Sequence, residues 1–324
     1  MKTTGQKQLK YYVIGAGSIG KRHHQNLLSL GADARLLSWR NISLNDFVTL
    51  LGNIPAQRSA VVIATASQVR FDLIQAAANA NVPVYIEKPL AFRVSDLDRI
   101  YDVAQPIIAR SMIGFMMRYH PMITALAGRK HDDIYGFSFE IGHDVRQWRQ
   151  DWQFKDSYAA KSQGGGVLLD LCHELDIAQL LFPDARLGQV DCLGHSDFEN
   201  VDFATRISLN QHNGPSGTVA MDYLSPHSIR RINLRGRNAI SDIDLLAGTE
   251  TRSQNGVLHT TQSALERNNM FVDIMRDFMT LAENGQPPEN QIAPMMDNVY
   301  ESCKLIAQAW EARQFHGHIS GGMQ

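Results

Sequence analysis

Short apolar runs alternate with amphipathic stretches through the first third of the chain. YYVIGAG (11–17) reads as a strand, and SIGKRHHQNLLSLG after it as a helix that ends at Gly31. ARLLSW (34–39) and AVVIAT (60–65) are the second and third strands, with room between them for one modest helix at LNDFVTLLG (44–52). VRFDLIQAAANAN (69–81) is helical, and PVYIEKP (83–89) is a fourth strand. VSDLDRIYDVAQ (94–105) is a helix opened by Ser95 as N-cap, with Asp98 three residues on. IIARSMIGFMMRYHP (107–121) follows as a further apolar strand. Strands that are apolar throughout are covered on both faces, which predicts a doubly wound parallel sheet with its helices.

After about residue 120 the texture changes. IYGFSFEIG (134–142), RLGQVDCLGHS (186–196), DFATRISLN (202–210), GTVAMDYL (217–224), RRINLRGR (230–237) and AISDIDLLA (239–247) are strand-like and separated by turn residues such as HNGPSG (212–217). With no long helical pattern between them, they predict one large antiparallel sheet. Two helices, NMFVDIMRDFMTLAENG (269–285) and MMDNVYESCKLIAQAWEA (295–312), close the chain. The reading is α/β: a first domain over 1–120 and a second α+β domain with an open sheet over 121–324.

Composition narrows the partners. Of 324 residues, 44% are apolar and 20% charged, which is the balance of an ordinary globular protein with ample core. Thirty-one basic against 33 acidic residues leave a net charge of −2, so there is no field for nucleic acid or an anionic membrane surface. Cys172, Cys192 and Cys303 are too few and too far apart for a disulfide framework or a CxxC metal site. The start, MKTTGQKQLK, has no apolar signal core, and no apolar run reaches the ~18 residues that span a bilayer. A cytoplasmic, reduced protein is expected.

The first turn carries chemistry. Gly15, Gly17 and Gly20 form G-x-G-x-x-G between the first strand and the first helix. In that context the glycines permit a tight turn, close backbone approach to a pyrophosphate, and close helix–strand packing. The helix N–H groups then hold the pyrophosphate. Gly15, Gly17, Ser18, Ile19 and Gly20 are therefore cofactor-binding candidates. An NAD site puts an acidic residue at the end of the second strand to bind the ribose hydroxyls. Here that strand ends in Ser38, followed by Trp39 and Arg40. A hydroxyl and a guanidinium suit a 2′-phosphate, so NADP is expected over NAD. Trp39 serves either as packing or as a face for adenine.

Further along, EKPL (87–90) ends the fourth strand, GFMMRYHP (114–121) ends the next, and GGGVLLDLCHELD (164–176) opens a helix. With GAGSIGKRH at the start, these motifs resemble the Gfo/Idh/MocA family of oxidoreductases in order and spacing over nearly the whole chain. QWRQDWQFKDSYAAKSQGGG (147–166) also looks like the subset of that family found in bacterial surface-polysaccharide and nonulosonate pathways. The resemblance implies a Rossmann domain followed by a domain with an open sheet often used for oligomer contacts. It implies Lys88 beside the nicotinamide and the reacting hydroxyl, His173 as proton carrier, and Asp170 as the catalytic acid partner. Thr65 and Glu87 join the cofactor-binding set. These are sensible parts, since oxidising an alcohol needs a base near neutral pH and a cation for the developing alkoxide.

Two departures from the family pattern stand out. Asp170 and His173 are three apart rather than the usual four, and TASQVR (65–70) has Ala66 and Arg70 where the family usually has Pro and His. On one continuous helix Asp170 and His173 lie about 60° apart, with Glu174 about 40° from Asp170 on the other side. The glycines would let the chain pass close to cofactor and substrate, and the acids would line that cleft. A metal reading fails for lack of H-E-x-x-H spacing.

Substrate contacts are expected from Arg118, Tyr119 and His120 after the last strand of the first domain, and from Trp152, Tyr158 and Lys161 before the glycines, besides His173. The leading expectation is an NAD(P)-dependent oxidoreductase acting on a ring hydroxyl or keto group of a sugar or nucleotide sugar. Redox-assisted elimination or epimerisation with a tightly held cofactor is an alternative. A non-catalytic dinucleotide sensor is another, although such a binder needs neither Lys88 nor His173. Helices enough for only one face of the second sheet would leave Ile207, Val219 and Met221 exposed on the other, which predicts a homodimer or homotetramer through that sheet.

Overall fold

The computed structural model describes residues 9–53, 58–147 and 153–322. The chain divides into two compact units. One comprises Met1–Ala91, Ser95–Tyr119 and Glu266–Tyr300; the other comprises Phe92–Val94, His120–Leu265 and Glu301–Gln324. Strands and helices are numbered along the chain.

The first unit is built on five parallel strands: β1 (Lys10–Ile14), β2 (Asp33–Leu37), β3 (Ser59–Ile63), β4 (Val84–Ile86) and β5 (Met112–Ile113), in the order β2-β1-β3-β4-β5. Every residue of β3 and β4 is buried, as continuous apolar strands require. The connecting helices are α1 (Ser18–Ser29), α2 (Leu44–Gly52), α3 (Arg70–Asn79) and α4 (Val94–Ala104). Helix α2 opens with a capping box, the Ser43 hydroxyl accepting from Asp46 N–H while the Asp46 carboxylate accepts from Ser43 N–H.

Two local expectations are corrected. Ser95 is not the N-cap of α4, because the helix already begins at Val94 and places Ser95 in its first turn. The apolar run at 107–121 is not one long strand either. Only Met112 and Ile113 pair, between 3₁₀ turns at Ile108–Arg110 and Met116–Tyr119. Residues 111–118 are all buried, so apolarity here records burial rather than extension.

The segment 266–300, grouped with the second domain on sequence, packs in the first unit. Helix α8 (Arg267–Asn284) lies against α1, and Glu283 accepts a 2.8 Å hydrogen bond from the Tyr11 hydroxyl at the edge of β1. Further on, Met296 O accepts from the Tyr101 hydroxyl at 2.8 Å.

The second unit contains a nine-stranded sheet: β6 (Ile134–Gly142), β7 (Arg186–His195), β8 (Phe198–Asn210), β9 (Ser216–Asp222), β10 (Ile229–Gly236), β11 (Ala239–Asp244), β12 (Thr249–Gln254), β13 (Val257–Gln262) and β14 (Gln314–Ile319). Its order is β13-β12-β11-β10-β6-β9-β8-β7-β14. The sheet is mixed rather than purely antiparallel, since β6 pairs parallel with β9 and β7 parallel with β14. The reason lies in the connections. After β9 the chain passes to the far side of β6 before pairing as β10, and β14 arrives from helix α9 (Tyr300–Glu311) instead of a hairpin. Three strands escape the alternation pattern. β12 and β13 are joined at Asn255–Gly256, both at positive φ (53° and 75°), the turn that Asn-Gly favours. All six residues of β13 are exposed, which removes the apolar alternation that would mark it. β14 is short and half-exposed.

Helices α6 (Val167–Asp170) and α7 (His173–Leu181) pack on one face of this sheet against β6, β8 and β9. Ile207, Val219 and Met221 belong to that covered face, with 0–1% of their surface exposed. The expectation that they form an exposed apolar patch is therefore wrong. The alternate positions, including Glu140, Arg206, Arg231, Arg235 and Asp242, point the other way and are polar and exposed.

Candidate functional site

In the first unit, β1 runs into the glycine turn and α1. Gly15 sits at φ +114°, and a Cβ there would lie 2.4 Å from Ala64 O; a Cβ on Gly20 would lie 1.8 Å from Gly15 O. Only glycine fits either position. Gly17 is different. It is exposed, a Cβ on it would meet nothing within 4 Å, and no side chain caps the α1 amino terminus it begins. Ser18 is exposed and Ile19 half-buried beside it. A twelve-residue helix thus presents open N–H groups and the positive end of its dipole, which fits a pyrophosphate.

At the end of β2, Ser38 is half-buried and Arg40 exposed, and Ser38 O accepts from Asn41 N–H at 3.0 Å to close a tight turn. No carboxylate stands in 37–41. Thr65 follows β3, and its carbonyl accepts from the Arg70 side chain.

Glu87 and Lys88 follow β4 directly. Glu87 is 6% exposed, and His23 Nε2 lies 2.6 Å from its Oε1. Burial opposes its ionisation, but the His23 hydrogen bond and charge, with the charges of Lys88 and Arg70, outweigh that and hold the carboxyl below its ordinary value. Tyr85, fully buried, is pushed well up by burial and by the Glu87 charge. Lys88 is therefore the half-buried cation of a charged cluster built around a buried carboxylate.

Of the remaining candidates in this unit, Arg118 is buried and donates to Ile292 O at 3.4 Å. The Tyr119 hydroxyl donates to Asp277 Oδ2 at 2.7 Å, and burial is the main force raising both groups. Both side chains thus tie the 3₁₀ turn at 116–119 to segment 266–300 of the same unit.

In the second unit, GGGVLLDLCHELD is not one continuous helix. α6 ends at Asp170, Leu171 leaves the helical region (φ −103°, ψ 24°), and α7 begins at His173. An angular count of 100° per residue does not apply across that break, so the wheel placement of Asp170 relative to His173 and Glu174 does not hold. The glycines have a nearer purpose than ligand approach. A Cβ on Gly165 would lie 2.3 Å from Lys161 O, and one on Gly166, at φ +97°, would lie 2.0 Å from Asp202 Oδ1. Asp202 is fully buried. Its Oδ2 accepts from Leu168 N–H and the Thr205 hydroxyl, each at 2.8 Å, and Arg313 donates to its Oδ1 at 2.5 Å. The Leu168 hydrogen bond fixes the start of α6 to β8, and the ion pair ties Arg313 to the same carboxylate.

The acids then separate by partner. Tyr158 donates its hydroxyl to Asp170 Oδ1, although 54% of the tyrosine is exposed. Tyr223, fully buried, donates to Gly166 O at 3.2 Å, and its hydroxyl is pushed well up by burial, with Asp170 adding to the effect. His143, whose ring centroid is 5.8 Å from that of Tyr223, is held below its ordinary pKa by burial, against the opposing charge of Asp170. Glu174 instead pairs with Arg230 at 2.6 Å. His173 and Asp176 are buried in the first turn of α7. Lys161 is exposed. His120 is 1% exposed and committed at both nitrogens: Nδ1 accepts from Met122 N–H, capping α5 (Pro121–Ala127), and Nε2 lies 3.0 Å from Leu245 O. Trp152 lies outside the described residues.

Lys88 thus belongs to the first unit, and Asp170, Tyr158 and His173 to the second. Sequence reading missed His23, His143, Tyr223, Arg230 and the Asp202–Arg313 pair. Among these only His23 had a signal, its place on α1 just after the glycine turn. The others sit on strands or loops far along the chain from their partners. Among the described residues no group of three His, Cys, Asp or Glu could hold a metal ion, and no helix is long and apolar enough to cross a membrane.

A parallel sheet with an open, glycine-framed helix terminus after its first strand is the arrangement of a dinucleotide-binding Rossmann domain. Residues 9–115 match the family model of the Gfo/Idh/MocA oxidoreductases, described as an oxidoreductase family with an NAD-binding Rossmann fold, so the resemblance read from the motifs holds. Among individual proteins, the chain is 26% identical over 186 residues to inositol 2-dehydrogenase of Rhizobium meliloti (strain 1021). That match takes in 53% of this chain and 54% of the enzyme, so the chain spans about half the length of the curated relative it matches. Two solved structures share the fold over nearly the full length. UDP-N-acetylglucosamine 3-dehydrogenase GnnA from Acidithiobacillus ferrooxidans aligns with a TM-score of 0.72 at 18% identity, over 94% of this chain and 96% of that one. An inositol dehydrogenase homolog complexed with NAD+ from Azotobacter vinelandii aligns with a TM-score of 0.75 at 14% identity, over 96% and 97%.

Proposed function

We propose that this protein is an NAD(P)-dependent dehydrogenase acting on a ring hydroxyl of a sugar or nucleotide sugar, with NADP preferred. The observation that carries the reading is the α1 terminus: Gly15 and Gly20 admit no side chain, whereas Gly17 leaves open space before an uncapped helix. Gly15, Gly17, Ser18, Ile19 and Gly20 would hold the pyrophosphate, Ser38 and Arg40 the adenosine ribose and its phosphate, and Thr65, Glu87 and Lys88 the nicotinamide end. The bound nicotinamide supplies the hydride acceptor. Lys88 brings an ammonium to the developing alkoxide. His173 takes the hydroxyl proton, and Asp170, held by Tyr158, supplies the negative charge on the same segment. Arg118, Tyr119, Trp152, Tyr158 and Lys161 complete the proposed substrate set. Of these, the exposed Tyr158 and Lys161 are best supported, because Arg118 and Tyr119 already hold partners in their own unit.

The related proteins lend the substrate class, since their names specify inositol and a UDP-amino sugar. We further infer a cytoplasmic homodimer or homotetramer assembled through the open face of the nine-stranded sheet. Support comes from outward residues of both charge signs on adjacent strands, Glu140 on β6 and Asp242 on β11 flanking Arg231 and Arg235 on β10, a pattern that a second copy can meet with complementary charge. Light scattering tests it; a monomer at micromolar concentration overturns it.

The activity is tested by following reduced nicotinamide absorbance with NADP+ or NAD+ and a panel of inositols, free sugars and UDP-sugars. Turnover with at least one ring alcohol that is lost in Lys88→Ala and His173→Ala supports the reading. Cofactor released only on denaturation, with no net turnover, would favour redox-assisted elimination or epimerisation instead.

A further inference from the structure

Arg70 stands where the resembling family usually has histidine, and the proposed function gives it no role. It opens α3, is 4% exposed, and spends its guanidinium on main-chain carbonyls. Nε and Nη2 donate to Thr65 O at 3.1 and 2.7 Å, and Nη1 donates to Glu87 O at 2.5 Å and to Pro89 O. Those acceptors lie on two loops: the one after β3, and the turn after β4 on both sides of Lys88. The other end of that turn is held through a side chain. His23, on α1, bonds the Glu87 carboxylate at 2.6 Å, and Tyr85 OH lies 3.5 Å from the same oxygen.

We propose that Arg70 and the buried His23–Glu87 pair are positioning residues that clamp the Lys88 turn between the loop after β3 and helix α1. The physical case rests on donor geometry. A planar guanidinium can serve three carbonyls in fixed directions, which a histidine, with at most two donors, cannot. Buried carbonyls need donors, and here one side chain supplies them for the residues flanking Lys88. Glu87 adds a fixed negative charge beside the lysine, so both the main chain and the electrostatics at Lys88 are set from within this unit. The clamp acts through Lys88 and not on substrate. The inference rests on the proposed catalytic role of Lys88 only for its effect on turnover.

The test uses Arg70→Ala, Arg70→Lys and His23→Gln in the full chain, with two readouts. The first is independent of activity: the acylation rate of Lys88, measured by peptide mass spectrometry against exposed Lys161, which should rise about threefold or more in each variant as the turn opens more often. The second is kinetic. In Arg70→Lys kcat should fall roughly 10²-fold, the cost of misplacing a reacting group by about an ångström, while the NADPH Kd stays within about twofold. Guanidinium ion should restore part of the loss in Arg70→Ala, and Arg70→Lys remains decisive if the alanine variant does not fold. Unchanged Lys88 labelling with unchanged kcat overturns the proposal. Loss of cofactor binding and thermal stability without guanidinium rescue also overturns it, because Arg70 would then be a folding residue. If Lys88→Ala keeps normal turnover while labelling still rises, the clamp stands and the catalytic reading of Lys88 falls.

Discussion

Arg230 Nε donates to Glu174 Oε1 across 2.6 Å, joining β10 to the first turn of α7, with the two side chains 14% and 2% exposed. A buried pair of this kind is worth little against an apolar replacement, but losing one partner strands the other. Glu174→Gln should therefore cost about 3 kcal/mol of stability, read as a lower urea midpoint. Turnover of the folded variant should stay near wild type. A large fall in kcat at unchanged stability would move the acid's role to Glu174.

The neighbouring carboxylate has a different partner and a different expected outcome. His173→Ala should lower kcat roughly 10²–10⁴-fold, the scale of general acid–base catalysis, with the NADPH Kd almost unchanged. Asp170→Asn should cost less. Tyr158→Phe, which removes the hydroxyl bonded to Asp170, should lower kcat about tenfold, the equivalent of one charge-assisted hydrogen bond. Steady-state kinetics on a confirmed substrate decide the order, and a Tyr158→Phe effect equal to that of His173→Ala would contradict it.

Two glycines should separate fold from binding. At Gly166, with φ +97° and Asp202 Oδ1 2.0 Å from an added Cβ, alanine should destabilise by about 3 kcal/mol or more. At Gly17, with φ −73° and open space around it, alanine should leave the melting temperature unchanged and weaken NADPH binding about tenfold by keeping the pyrophosphate off the backbone. Thermal melts and fluorescence titrations of both variants check this.

Cofactor choice follows from the end of β2. NADPH should bind more tightly than NADH, and Arg40→Ala should narrow the gap by about tenfold, the value of one charge-assisted phosphate contact. Equal affinities in the wild type count against it.

Acid stability should depend on Glu250. Arg129 grips this buried carboxylate with two 2.6 Å hydrogen bonds, and that contact is the largest force holding its pKa below the ordinary 4.5. With the folded value depressed, the stabilisation is full above the unfolded pKa and is lost as pH falls through the folded one. Urea midpoints measured from about pH 7 down to about pH 3 should fall less steeply in Glu250→Gln than in wild type. Parallel curves would show that the pair contributes nothing in solution.

Sequence patterning alone determined the alternation of the first unit, the G-x-G-x-x-G turn and α2 residue for residue, because each is local chemistry: periodicity, a capping box, a φ that only glycine takes. The order of motifs also carried the resemblance to the family whose model residues 9–115 match, because such motifs are read from neighbours in the chain. Tertiary structure decided what depends on residues far apart in sequence. Residues 107–121 are apolar whether they extend or coil, and only packing made them a two-residue strand between 3₁₀ turns. The break at Leu171 has no glycine or proline to announce it. The fully exposed β13 shows no alternation, and its pairing with β12 came from a turn rather than from burial. Which acid meets Arg230 and which meets Tyr158 is set by strand register across more than fifty residues in one case and by a folded loop in the other. Arg70 read as a mere departure until the carbonyls of Thr65, Glu87 and Pro89 converged on it. Main-chain carbonyls are identical along the sequence, so only the folded chain can say which of them a buried cation will find.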